Sequence, residues 1–176
     1  MNQDLSSVHV KLEARLSATC KGAVFSSDRR YRYLLWRVWS GTGGMVLFVG
    51  LNPSTADEQT DDPTIRRCKS FAESWGATGF MVANLFAYRA TKPRDLYEAI
   101  TPVGPANDRW LDSTTSFARL TIACWGNHGA FRERASHVLP LLRNPSCLRM
   151  TKSGHPSHPL YLPGSCRPVP MAPFAS

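Results

Sequence analysis

Five consecutive apolar residues, Met45-Val46-Leu47-Phe48-Val49, constrain this chain more than any other feature. A half-buried strand alternates apolar with polar residues, and a surface helix spaces apolar residues three and four apart. An unbroken short run that stops at a glycine fits a strand covered on both faces, as in a parallel sheet with helices above and below. Similar runs recur at 79–85 and 120–125, with a shorter one at 147–151. Helical spacing lies between them. In 62–75, Pro63 suits a first turn, and Ile65, Cys68, Phe71, Ala72 and Trp75 fall along one side. Residues 105–117 offer a second helix. Residues 130–142 offer a third, with Phe131, Ala135, Val138, Leu139 and Leu142 aligned. Strand–helix alternation of this kind predicts a three-layer α/β/α sandwich around a mainly parallel, four-stranded core sheet.

The flanks read differently. Residues 1–22 carry Val8, Leu12 and Leu16 at helical spacing and suit a short helix or an arm. Residues 31–39 are aromatic-rich and strand-like, and 40–44 form a turn by composition. The main domain is expected over 23–163. A proline-rich tail follows over 164–176, since the last 21 residues hold six of the 13 prolines. The whole length of 176 residues suits one domain.

Charge and cysteines narrow the function classes. The net charge of +8 is uneven: 1–60 contribute +2, 61–108 nothing, and 109–176 carry eight basic against two acidic side chains, +6. A basic C-terminal third suggests a polyanion partner, DNA first, although solubility alone also produces such a balance. No run of about 18 uncharged apolar residues exists, so no membrane helix is expected. The N-terminus lacks a basic stretch followed by an apolar one, so the cytoplasm is the expected compartment. Five scattered cysteines without a CxxC give no zinc or iron–sulfur signature and read as reduced small hydrophobes.

The chemistry is expected at strand ends, since ligands of open α/β sheets bind outside the carboxyl ends of strands. Those ends read Gly50-Leu51-Asn52-Pro53-Ser54, Asn84-Leu85-Phe86, Trp125-Gly126-Asn127-His128 and Gly154-His155-Pro156-Ser157-His158-Pro159. Asn and His are neutral hydrogen-bonding groups that can read a base edge or hold a water, and Asn also tightens turns. The acidic run Asp57, Glu58, Asp61, Asp62 could ligate a divalent metal, but suits a solvated loop leading into a helix better. No metal is assigned to it. Asp62 before Pro63 is a good N-cap.

Gly50-Leu51-Asn52-Pro53-Ser54-Thr55-Ala56-Asp57, Asp62-Pro63-Thr64-Ile65-Arg66-Arg67, Asn84-Leu85-Phe86-Ala87 and His158-Pro159-Leu160-Tyr161 resemble the DUF1643 family over about 23–163, as do Ala23–Ser26 and Tyr31–Tyr33. The order of these motifs also resembles the uracil-DNA glycosylase superfamily. Gly50-Leu51-Asn52-Pro53 is similar to the first motif of its thymine- and mismatch-specific branch. Asn84 stands where an Asn reads the pyrimidine edge, and 155–160 is similar to the last motif, with two competing histidines. The resemblance implies a uracil-DNA glycosylase-like fold and a monofunctional DNA glycosylase that flips a pyrimidine out of the helix and hydrolyses its glycosidic bond.

By that resemblance Asn52 orients the attacking water and His158 or His155 donates to the base oxygen, with His158 preferred. Asn84 pairs with the base edge, Gly50, Leu51 and Pro53 shape the pocket, and Phe86 or Trp125 stacks on the base. Arg89, Lys92, Lys152 and Ser157, near the same strand ends, are expected to meet DNA. Ser54 follows the motif proline where the uracil-specific branch has Tyr. A small residue there leaves the pyrimidine C5 side open, so a 5-substituted base, as in modified phage DNA, is the expected substrate. No lysine falls in the motifs, so no lyase step is expected. No cofactor and no obligate protein partner is implied. Two other classes stay open: a nucleotide- or nucleoside-processing enzyme on the same scaffold, and a non-catalytic nucleic-acid binder.

Overall fold

The computed structural model describes residues 2–171. The chain runs α1 (Asn2–Ala18), β1 (Lys21–Phe25), β2 (Arg32–Val38), β3 (Met45–Gly50), α2 (Pro63–Ser74), β4 (Gly79–Asn84), α3 (Pro93–Glu98), α4 (Asn107–Phe117), β5 (Leu120–Ala123), α5 (Arg134–Val138), β6 (Ser146–Cys147) and β7 (Val169–Pro170). The strands form one mixed sheet of order β1-β2-β4-β3-β5-β6-β7. The expected four-stranded sheet is thus a seven-stranded one. Neighbours β4, β3, β5 and β6 pair in parallel, while β1, β2 and β7 add antiparallel edges.

The central run of β3 behaves as its composition demands. Val46, Leu47, Phe48 and Val49 are all fully buried. Leu47 and Val49 join Met81, Ala83 and Trp125 on one face, and Val46 and Phe48 join Ile65, Phe71 and Ile122 on the other. Burying each such side chain contributes about 1.5–3 kcal/mol. α2 covers the second face through Ile65, Cys68, Phe71 and Ala72. α1, α4 and α5 cover the first, through Leu12, Leu111 and Val138 among others. The entry of α2 is fixed by Asp62, whose carboxylate accepts from the Ile65 amide at 2.9 Å.

One irregularity in β2 matters later. Val24 pairs with Leu34, but Phe25 pairs with Arg32, so Tyr33 is an extra residue, a β-bulge. The bulge lets Arg32, not Tyr33, share the face of Leu35 and Arg37. Arg32 and Arg37 accordingly reach the same loop, donating to the carbonyls of Ala56 and Asp57, each at 2.9 Å.

Three segments depart from the sequence reading. The expected helix over 130–142 is a 3-10 segment (Asn127–Glu133), the short α5 and another 3-10 turn (Leu139–Leu141). Arg132 and Glu133 sit in the left-handed region, at φ 52° and 55°. Long-range anchors hold this break: Arg132 donates to the carbonyls of Ile100 and Ala99 at 3.2 and 3.1 Å, and Arg134 to that of Leu85 at 2.8 Å. The strand expected over 147–151 stops at Cys147, because the chain turns back on itself through a bridge between Met150 and Pro156. Within the expected tail, Val169–Pro170 pairs with β6 at the sheet edge, a place that tolerates proline. Residues 172–176 lie outside the described residues. Among the described residues no helix is long and apolar enough to cross a membrane.

Candidate functional site

A cleft of about 780 Å³ opens at the carboxyl ends of the parallel strands. Its floor comes from the sheet: Gly50 closes β3 and Leu51 and Asn52 follow it, Asn84 closes β4, and Trp125 follows β5. One wall comes from the 149–162 segment, which contributes Arg149, Lys152, Ser157, His158 and Tyr161. Ser54 lines the cleft as well. The sequence-predicted residues Asn52, Asn84, Trp125, Ser54, Ser157 and His158 therefore meet in one cavity.

Asn52 is held in one orientation. Its Nδ2 donates to the carbonyls of Ala90, at 2.7 Å, and Pro53, at 3.0 Å. Both partners are acceptors only, so the amide cannot be reversed, and Oδ1 is left as an acceptor. Asn84 is 3% exposed, and its main-chain carbonyl accepts from Asn107 Nδ2 at 2.9 Å. Its own Nδ2 has no partner. A Cβ on Gly50 would stand 2.9 Å from Asn84 Oδ1, so glycine is required there for Asn84 to lie against β3. Trp125 is 1% exposed, belongs to the core, and leaves Nε1 without a partner. A buried donor without an acceptor is costly, so Asn84 Nδ2 on the floor suits a ligand that supplies an acceptor, whereas the Trp125 Nε1 edge lies against Gly129, which is off the lining.

A main-chain bond from Gly126 N to Pro156 O at 2.7 Å ties the wall to the end of β5, and Ser157 N to Arg149 O at 2.8 Å and Thr151 N to His155 O at 2.7 Å fold it on itself. Thr151 Oγ1 also donates to Asn127 Oδ1 at 2.6 Å. His158 caps the turn Pro159–Tyr161, its Nδ1 accepting from the Leu160 amide at 3.3 Å. The neutral ring therefore carries its proton on Nε2. Burial pushes the His158 pKa below the usual histidine value, with Asp62 opposing in part, so the ring is neutral at pH 7.

Other expected residues sit elsewhere. His155 is half-buried outside the cleft lining, its amide donating to Thr151 Oγ1 at 3.2 Å in the turn that reverses the wall. Phe86 is fully buried and packs on Phe131, ring centroids 5.5 Å apart, so it has no face for a base. Pro53 is buried beneath its loop, its carbonyl taken by Asn52 and the Ala90 amide. Lys92 is exposed at the start of α3, outside the lining. Arg89 lines a smaller groove of about 380 Å³ with Arg29 and Arg30, and Ser54, Ala90 and Thr91 belong to both cavities.

The acidic run is spent on structure. Asp57 accepts from the Gln59 and Thr60 amides, Glu58 pairs with Arg29, Asp61 with Arg37, and Asp62 caps α2. Among the described residues no three His, Cys, Asp or Glu are grouped to hold a metal ion. Cys68 and Cys124 line the cleft, but burial raises both thiols, Cys124 to about 12, so neither is a thiolate at neutral pH.

Among the cleft residues that the sequence reading did not assign to the site, two stand out. Tyr161 is 82% exposed at the rim. Arg32 lines the cleft at 2% exposure. Tyr31–Tyr33 belongs to a family-like segment, but nothing in the local sequence shows which face Arg32 takes, because that face is set by the bulge at Tyr33.

Comparison with known proteins gives a family without an activity. Residues 32–160 match the family described as a protein of unknown function (DUF1643), and the chain belongs to it. No curated protein and no solved structure matches the chain.

Proposed function

We propose that this DUF1643 chain is a monofunctional DNA glycosylase that hydrolyses the N-glycosidic bond of a flipped pyrimidine. The observation that carries the reading is the meeting of three neutral polar groups in one cleft: Asn52 Oδ1 as acceptor, Asn84 Nδ2 as unpartnered donor and His158 Nε2 as donor. The resemblance of motif order to the uracil-DNA glycosylase superfamily supports it.

In this reaction the C1′–N1 bond breaks, the water oxygen bonds to C1′, and the bonding pair leaves with the base. Asn52 accepts one water hydrogen and aims the oxygen; an amide is too weak a base to remove the proton early. The water proton passes to solvent or the departing base once the bond is broken. Rate therefore comes from stabilising the base anion. Neutral His158 donates Nε2–H to the base oxygen without surrendering its proton, and Asn84 Nδ2 donates to the base edge. A single preorganised donor is worth about 3–4 kcal/mol here. Extrusion of the base into a pocket provides access to C1′.

Ser54 leaves room beside the base, so we assign the substrate to 5-substituted pyrimidines, with defence against phage carrying modified DNA as the role. DNA would lie across Lys152 and Arg149 at the wall and the arginine-lined groove beside Ser54. The test is incubation with duplexes carrying different 5-substituted pyrimidines and mass spectrometry of released bases. Release of a free base with an abasic strand supports the reading; tight DNA binding with no release from any duplex overturns it. Ser54→Tyr should then suppress release of 5-substituted bases and spare uracil. Equal loss on both would remove the case for an open C5 side.

A further inference from the structure

Three arginines are buried among the described residues, and they are treated unequally. Arg37, at 7% exposure, donates to Asp61 at 2.6 Å and to the carbonyls of Trp36 and Asp57 at 2.8 and 2.9 Å. Arg134, at 6%, pairs with Asp108 and with the carbonyl of Leu85. Arg32 is the most buried, at 2%, yet its guanidinium makes one side-chain hydrogen bond, Nη1 to the Ala56 carbonyl at 2.9 Å. Its Nε has no partner, and among the described residues no carboxylate lies within ion-pair distance of it. Removing a cation from water is costly unless a counter-charge compensates. Burial drives the Arg32 pKa down to about 10, with the Asp62 carboxylate opposing it only in part. Arg37 and Arg134 lie outside the cleft, and Arg32 lines it.

We propose that Arg32 is the anchor of an anion subsite inside the cleft, completed by a carboxylate or phosphate group of the substrate. The guanidinium presents a planar fork suited to two oxygens. The start of α2 contributes Thr64 and Ile65 to the same cleft, and a helix N-terminus favours negative charge. Asp62 also lines the cleft and opposes an anion, but its Oδ1 is engaged in capping Ile65. Asp57 is turned to the Gln59 and Thr60 amides. The β-bulge at Tyr33 is the backbone feature that commits Arg32 to this face. The subsite lies in the cleft assigned to base excision, but the proposal concerns what is bound, not which bond breaks, so the two stand or fall separately.

The anion could belong to an acidic substituent on the base or to a phosphate. Two ligand pairs distinguish them: uracil-5-carboxylate against uracil, and thymidine 5′-monophosphate against thymidine. Affinities are measured calorimetrically at fixed ionic strength, with inorganic phosphate as a third probe read by thermal shift. The anionic member of at least one pair should bind about tenfold tighter or more, and Arg32→Gln should erase that gap while leaving the uncharged member unchanged. A gap in the first pair alone assigns the anion to the base; a gap in the second alone assigns it to phosphate. Asp62→Asn, which keeps a capping side chain and removes the opposing charge, should tighten the anionic ligand several-fold. This variant also decides the matter if Arg32→Gln fails to fold. The proposal is overturned if neither pair differs and phosphate gives no shift, if the gap survives in Arg32→Gln, or if Asp62→Asn leaves anion affinity unchanged. None of these outcomes depends on base release.

Discussion

The floor and the wall of the cleft are built by different physics. The floor is an extension of the sheet. Gly50 and Asn84 are register partners at the ends of β3 and β4, and Trp125 is a core residue. Its geometry is inherited from packing, where side chains interlock and small displacements are expensive. The wall, 149–162, hangs on a few main-chain hydrogen bonds and one isolated bridge, with Met150, Leu160 and Tyr161 left exposed. Such segments open at lower free-energy cost than core strands. The floor can fix a reacting group to within a fraction of an ångström, while the wall is held by fewer contacts, with Leu162 as its link to the core.

The largest expected effect breaks the floor. Asn52→Ala removes the acceptor proposed for the water, and on that proposal single-turnover base release should fall about 10²–10³-fold on every base, with DNA affinity unchanged. Full retention of rate would show that the water is not held there. A smaller but sharper test separates the wall's two histidines. His158→Ala should slow release about a hundredfold, and His155→Ala, outside the lining, should stay near wild type. Equal losses would mean that both act through wall geometry and neither donates to the base.

The wall also has a pH signature. The folded pKa of His158 is depressed below its unfolded value. The unfolded chain then takes up the proton first, so this contribution to stability is intact above about pH 6.5 and is lost as pH falls through the depressed value. Melting temperature should drop over that acid range more in the wild type than in His158→Gln. An identical pH dependence in both would rule out this linkage. The smallest effect is expected at the rim: Lys152→Ala should weaken DNA binding modestly and reduce the salt slope by about one. An unchanged slope would place the phosphate path elsewhere.

The difference between floor and wall also explains what was legible in the sequence. Apolar runs announce strands buried on both faces, so β3, β4 and β5 and the Asn at two of their ends could be read directly. Hydrogen-bond direction cannot be read that way, and the antiparallel addition of β1 and β2 beside β4 went unseen. Tertiary anchors override periodicity at Arg132 and Arg134, which break the expected third helix. Motif likeness left His155 and His158 open; a reversing turn, specified by Thr151 and Asn127 contacts far apart in sequence, separates them. Phe86 stands next to a strand end yet faces the core, because being near a strand end does not determine which way a side chain points. The face taken by Arg32 was invisible because one extra residue in a strand moves it from one face to the other.

The two hydrogen bonds on Asn52 Nδ2 have a consequence for the economy of the reaction. A surface asparagine samples several rotamers and two amide orientations, and a ligand that needs one of them must freeze the rest. Here the Ala90 and Pro53 carbonyls complete that freezing while the chain folds. The ordering entropy of this side chain is therefore charged to folding, and none of it is deducted when a ligand arrives. Any molecule that uses Asn52 Oδ1, whether a reacting water or a base edge, meets an acceptor whose direction is already decided.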